Sequence, residues 1–110
     1  MARAFVISYN PHYNVKPAAK FGEITHLFTD VKSLSNNNPQ GALEEIIERL
    51  DKFGFDPKID FIVLSATGWN LAMFFAAALL TYGEIKTLSY DAKRNIYYER
   101  IVKDPTPEEV

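Results

Sequence analysis

The stretch Phe61–Tyr90 constrains the fold most. An apolar run, Phe61-Ile62-Val63-Leu64, leads into a small polar turn, Ser65-Ala66-Thr67-Gly68-Trp69-Asn70. A wholly apolar helix, Leu71–Leu80, and a second strand, Ile85–Tyr90, follow. Strand, crossover helix and strand make a βαβ unit, which belongs in a parallel sheet and is expected to be right-handed. The polar turn lies beyond the carboxyl end of the first strand. Open α/β sheets place their ligands at such ends.

The flanking chain supplies the rest of the sheet. Ala4–Ser8 reads as a buried strand ended by the turn signal Tyr9-Asn10-Pro11. Pro17–Phe21 suits one or two helical turns, with Pro17 first and Gly22 as the stop. Glu23–Thr29 is the second strand, and Asp30–Asn38 is a polar loop. Asn36-Asn37-Asn38-Pro39 starts a helix that runs to about Phe53, where Gly54 ends it. Leu43, Ile46, Ile47, Leu50 and Phe53 share one face of it, and Glu44, Glu45, Glu48, Arg49 and Lys52 the other. Asp91–Asn95 is a tight turn joining Ile85–Tyr90 to Ile96–Val102 in an antiparallel hairpin, with the last strand at or near a sheet edge. The expected product is a small Rossmann-like three-layer α/β domain over residues 1–103, with a mostly parallel sheet of about five strands and a C-terminal β-hairpin. Residues 104–110 read as a flexible acidic tail.

A helix apolar on every side is expected to be buried on every side. Two helices and one short turn are few for such a sheet. Cover for Leu71–Leu80 is therefore expected from a second copy, making the protein a homo-oligomer. The other reading is that Pro11–Gly22 covers Met73, Phe74 and Phe75.

Composition removes several functions. The formal net charge is −2, which argues against general nucleic-acid binding, although Lys86, Lys93, Arg94 and Arg100 leave a local basic patch open. The absence of cysteine excludes disulfides, thiolate zinc sites and cysteine nucleophiles. Asp30, Asp60 and Asp91 are too scattered to argue for a metal. The longest apolar run falls well short of the roughly 20 residues of a membrane span. The apolar run after Met1 is too short for a secretory signal, so a soluble, cytoplasmic protein with no membrane partner is expected. Phosphate-loop, dinucleotide-fingerprint, zinc-helix and nucleophile-elbow motifs are all missing. The residues favour a non-enzymatic role, and we assign no catalytic residue, metal or cofactor.

A binding site, by contrast, has a natural place. The topology expected above brings Ser8, Asn10, His12, Ser65, Thr67 and Asn70 towards one rim. Hydroxyls, amides and a helix N-terminus together form an anion or nucleotide cradle. Gly68 would let a ligand approach the backbone, and Trp69 or Tyr9 would stack on a base. The plainer reading makes Thr67 an N-cap, Asn70 its first-turn neighbour and Trp69 a packing residue. His12 lacks a nucleophile or carboxylate partner at a telling spacing, and His26 reads as structural. Tyr90, Tyr97 and Tyr98 read as sheet-packing residues, with an interaction face on their hairpin as the alternative.

Two resemblances follow from these residues. Phe5–Leu27, with Val-Ile-Ser-Tyr-Asn, Pro17-Ala18 and Phe21-Gly22-Glu23-Ile24, resembles small phage-encoded α/β proteins of unassigned function. Asp60–Val102 does too, with its strand, Gly turn, Ala-rich helix and Tyr-rich hairpin in order. Ser65-Ala66-Thr67-Gly68, followed by Met73 and the Ala-rich helix, is similar to the Thr-Gly turn of CARF domains, which bind cyclic oligoadenylates. Trp69, Asn70 and Leu71 stand where that motif continues with a second Gly and Thr-Lys. The resemblances imply a viral protein in the cytoplasm of the host cell. Its expected role is non-enzymatic binding that sequesters a nucleotide-type defence signal at the strand ends. The alternative is an accessory protein that binds and modulates a host or phage protein through its hairpin or apolar helix.

Overall fold

The computed structural model describes residues 1–29 and 38–105. Five strands form one sheet: β1 (Arg3–Ser8), β2 (Glu23–Phe28), β3 (Phe61–Val63), β4 (Glu84–Asp91) and β5 (Ile96–Lys103). Their order is β2-β1-β3-β4-β5. All pairs are parallel except the β4–β5 hairpin, which runs in register from Glu84↔Lys103 to Asp91↔Ile96. The expected α/β class, mostly parallel sheet and terminal hairpin are therefore present, and β5 is an edge strand. Asp30, Asn36 and Asn37 lie outside the described residues, as does the tail from residue 106.

Two helices connect the strands. α1 (Pro39–Lys52) begins where Asn38 accepts the Gly41 N–H at 3.0 Å, and Pro39 fills the first turn, where its missing N–H costs nothing. Its C-cap is Phe53, and Gly54 follows with φ +71. α2 (Gly68–Tyr82) ends on Gly83, whose φ of +77 suits a residue without a Cβ. α2 starts earlier than the sequence indicates: Gly68, Trp69 and Asn70 form its first turn and not a loop. Lys16–Lys20 is a 3-10 turn.

Alternation along β1 divides the core in two. Phe5 and Ile7 join Leu27, Ile62 and Ile85 under Ala42, Ile46 and Leu50 of α1 and Phe74, Ala77 and Ala78 of α2. Both helices thus lie on one face. Ala4 and Val6 join Phe61, Val63, Leu88 and Tyr97 on the other face, where Val15, Ala18 and Phe21 around the 3-10 turn cover them. The segment Pro11–Gly22 therefore does not cover Phe74. That ring is fully buried in the core between α1, α2 and the sheet, with Met73 and Phe75 packed against the same cluster. Nor is α2 buried all round within the chain. Its outer side exposes Trp69, Ala72 and Leu80, the last at 71%.

The amino ends of the strands are closed by a clamp. Asp60, 2% exposed, accepts the Arg3 backbone N–H (2.9 Å) and the Asp56 N–H (2.8 Å), and it pairs with the Arg3 guanidinium at 3.2 Å. The same guanidinium donates to the carbonyls of Phe53 (2.6 Å) and Gly54 (2.8 Å). Gly22 is required nearby, because a Cβ there would stand 2.8 Å from the Ala2 backbone carbon and oxygen.

Candidate functional site

The strand order fixes where a crevice opens. The chain leaves β1 towards β2 on one side and leaves β3 towards β4 on the other. Between two connections that diverge, the carboxyl ends of neighbouring strands are left uncovered, and ligands of open α/β sheets bind at such a point. Here the strand ends carry Ser8-Tyr9-Asn10 and Ser65-Ala66-Thr67.

A cavity of about 410 Å³ opens onto this point from the face of β1 and β2 opposite the helices and reaches Ser65; its size is within the roughly 300–1,000 Å³ of small-molecule sites. Val6, Ser8 and Ser65 form its floor, Ile24 and His26 of β2 one wall, and the loop Tyr9–Lys16 the other. A smaller space of about 70 Å³ continues from Ser8, Tyr9, Asn10 and Ser65 to Ala66, Thr67 and Asn70 at the start of α2. Among the described residues neither lining contains an Asp or Glu, and the larger carries Lys16 and His26. The tone is aromatic and neutral to basic. Tyr9, 67% exposed, stands edge-on to His26 with ring centroids 6.0 Å apart.

Polar side chains fix the loop wall. Asn10 accepts the His12 N–H at 2.9 Å, and Asn14 accepts the Lys16 N–H at 3.2 Å, each a local turn of the kind Asn favours. The hairpin then holds Asn14 from across the sheet. The buried Tyr97 hydroxyl shares a 2.8 Å hydrogen bond with Ser65 and donates to the Asn14 carbonyl at 3.4 Å. Asn95, at φ +53 in the hairpin turn, accepts from Tyr90 (2.5 Å) and from the Asn14 amide (3.5 Å). Burial pushes the Tyr97 phenol up from its ordinary pKa, the Ser65 hydrogen bond draws it down, and Tyr90 raises it further.

The start of α2 is left open. Thr67 occupies the N-cap position, but its side chain does not cap the helix. Its hydroxyl instead accepts from the Asn70 amide at 3.1 Å. The first intrahelical bond is Leu71 N–H to the Thr67 carbonyl, 2.8 Å, so the Gly68, Trp69 and Asn70 N–H groups have no acceptor within the helix.

Of the eight residues singled out by sequence, the structure brings together Ser8, Asn10, Ser65, Thr67 and Asn70. His12 is exposed in the loop, and Gly68 and Trp69 begin α2; none of the three lines either space. Sequence reading missed Tyr13, Asn14, Lys16 and His26, which line the larger cavity. The signal for His26 was its parity: it pairs with Val6 on the face opposite the helices. The basic residues form no single patch. Lys86 is paired with Ile101, and Arg100 with Thr87, so alternation sends the two cations to opposite faces, with Lys93 and Arg94 in the hairpin turn.

A small α/β sheet with an open crevice at its strand ends is the class that these features define. A family model described as Phage Pam3 gp32-like protein matches residues 2–104, and the chain belongs to that phage family. No curated protein and no solved structure matches it.

Proposed function

We propose that this phage protein is a non-enzymatic binding module that holds a nucleotide-type small molecule in the crevice between the ends of β1 and β3, and so withdraws a defence signal of the host. The observation that carries this reading is the 410 Å³ cavity at the divergence of the two connections, walled by Tyr9, Tyr13, Lys16 and His26 and free of carboxylates among its described lining residues. Rings for stacking and a lysine without competing anions suit an aromatic, negatively charged ligand. The fold is then a reduced Rossmann-like three-layer domain, with the 3-10 turn standing where a larger relative of that architecture would carry a helix. Among the described residues no group of three or more His, Asp or Glu could hold a metal ion.

The working form in this proposal is a homo-oligomer. α2 carries no charged residue, and its outer side presents Trp69, Ala72 and Leu80. The same side favours a second reading, in which α2 docks on a host or phage protein and the crevice is idle.

Native mass spectrometry of the protein recovered from infected cells, before and after denaturation, tests both. A multimer that releases a nucleotide supports sequestration. A ligand-free species overturns it in favour of the docking reading, and a ligand-free monomer removes the homo-oligomer as well.

A further inference from the structure

The sheet has two edges of unlike build. β2 has six residues and β5 has eight. Free edges are commonly protected by short strands, prolines or bulges. β5 has none of these: it contains no proline, and its register with β4 is unbroken from Glu84↔Lys103 to Asp91↔Ile96. Its outward backbone groups follow from the ladder. The Asp104 N–H donates to the Gly83 carbonyl at 2.8 Å, one step beyond Glu84↔Lys103. Hydrogen-bonded pairs alternate along an antiparallel ladder, so Val102, Arg100 and Tyr98 turn their backbone groups to β4. Glu99, Ile101 and Lys103 turn theirs to the free edge. The side chains of these three residues also share one face, opposite the helices, with Leu88, Lys86 and Glu84 beside them on β4. Ile101 is 61% exposed in the middle of the row. Glu99 and Lys103, both exposed and of opposite charge, stand on either side of it.

From this we infer that β5 is a homodimer seam: two copies of the chain join their β5 strands antiparallel, about a two-fold axis at Ile101, into one continuous sheet. An axis perpendicular to the sheet keeps each face on its own side. Centred on Ile101, it sets Ile101 against the partner's Ile101, Glu99 against the partner's Lys103, and Lys103 against the partner's Glu99. Opposite charges and apolar side chains directly across a ladder are favourable pairs. The outward N–H and C=O groups of Glu99, Ile101 and Lys103 all find partners in this register. Lys103 then lies between Glu84 of its own hairpin and the partner's Glu99, so charges alternate across the seam. Other registers lose this match. A centre at Glu99 or at Arg100 sets that charge against its own copy. A centre at Val102 sets Ile101 against the partner's Lys103. The occupant of the edge is therefore a second copy of this chain, selected by its own charge pattern.

The inference rests on the homo-oligomer of the proposed function, and the test separates the two. Sedimentation equilibrium of the full chain over a concentration series measures dissociation, with circular dichroism as a check on the fold. The parent is expected to form a dimer. Glu99→Lys and Lys103→Glu should each weaken it about ten-fold or more, because each turns both Glu99–Lys103 pairs across the axis into like-charge pairs. An equal mixture of the two single variants should associate to within about three-fold of the parent, since each supplies the charge the other lacks. The double variant should do the same. Lys103→Glu also faces Glu84 in its own hairpin, whereas Glu99→Lys faces Leu88 and decides the result alone if the other fails to fold. A parent that stays monomeric overturns the seam and the homo-oligomer together. A dimer that the single changes leave intact overturns the seam and leaves the homo-oligomer standing, with its interface on another surface such as the outer side of α2. Weakening that neither the mixture nor the double variant reverses overturns the Ile101 register and the seam with it.

Discussion

The two ends of the parallel strands are built on opposite principles. At the amino ends, Arg3 and Asp60 satisfy each other and four backbone groups: the N–H groups of Arg3 and Asp56 and the carbonyls of Phe53 and Gly54. At the carboxyl ends, Ser8 and Ser65 line a cavity under the Tyr9–Lys16 loop, and the Thr67 side chain does not cap its helix. The same chain thus completes its polar accounts at one end and leaves them open at the other. No buried side-chain polar atom among the described residues lacks a partner, so the open end offers an external partner groups that water already reaches. The closed end is where a mutation costs the fold most.

That contrast makes Asp60 the first place to break it. Asp60→Ala leaves the Arg3 and Asp56 backbone N–H groups without their acceptor and takes one of three partners from the partly exposed Arg3 guanidinium, at a cost of about 3 kcal/mol. Urea unfolding should show a loss of that size, with the slope of the transition unchanged. Ser8→Ala, at the other end, should change stability by less than about 0.5 kcal/mol, because it removes no hydrogen bond within the protein. Equal losses at the two sites would end the distinction between a closed and an open end.

Much of this was legible before the structure. The five strands and α1 announce themselves by apolar runs, by the Asn-Pro start and by the three-and-four spacing of Leu43, Ile46, Ile47 and Leu50. α2 was found, and of the two readings of its start the structure takes the plainer one, with Thr67 at the N-cap position and Asn70 in the first turn. The crevice floor was legible because strand ends follow from strand order. The wall was not. Nothing local says that Tyr13–Lys16 folds over the face opposite the helices, since the Tyr97–Asn14 and Tyr97–Ser65 bonds span 83 and 32 residues. The chain alone does not cover α2 on every side, which is why its sequence pointed to a second copy for cover. An apolar sequence states what a helix tolerates, whereas Leu80 and Trp69 depend on what the rest of the chain has left to cover them.

Tyr97 joins the hairpin to the open end, so it sharpens the comparison at intermediate cost. Tyr97→Phe keeps the ring and removes the hydroxyl from Ser65 and Asn14, for about 1 kcal/mol. It also carries a pH signature. The folded-state pKa is raised, chiefly by burial, so the unfolded chain loses this proton first. Stability from this group is complete below the ordinary value of 10.0 and is lost as pH rises through the higher folded value. Tyr82, raised by burial and by Asp51, adds to the same alkaline loss. Thermal midpoints between pH 9 and 12 should therefore fall less steeply in Tyr97→Phe than in the parent, leaving the Tyr82 share. If the slopes coincide, the Tyr97 hydroxyl does not hold the loop wall as the distances indicate.

The smallest effect defines the outer limit of the open end. A Cβ on Gly68 would meet nothing within 4 Å, its backbone has no positive φ, and Gly68 lines neither compartment. Gly68→Ala should then stabilise the protein slightly, by up to about 0.5 kcal/mol, because alanine loses less backbone freedom on entering a helix. The sequence alone suggested a different role, a glycine kept small so that a ligand can reach the backbone. The two roles separate in one titration of AMP against Gly68→Ala. Affinity within two-fold of the parent confines the ligand to the Ser8 side of α2, where the cavity is. A larger loss, with the fold intact, moves the ligand out over Gly68 and Trp69, and the open end then extends beyond the crevice onto the first turn of the helix.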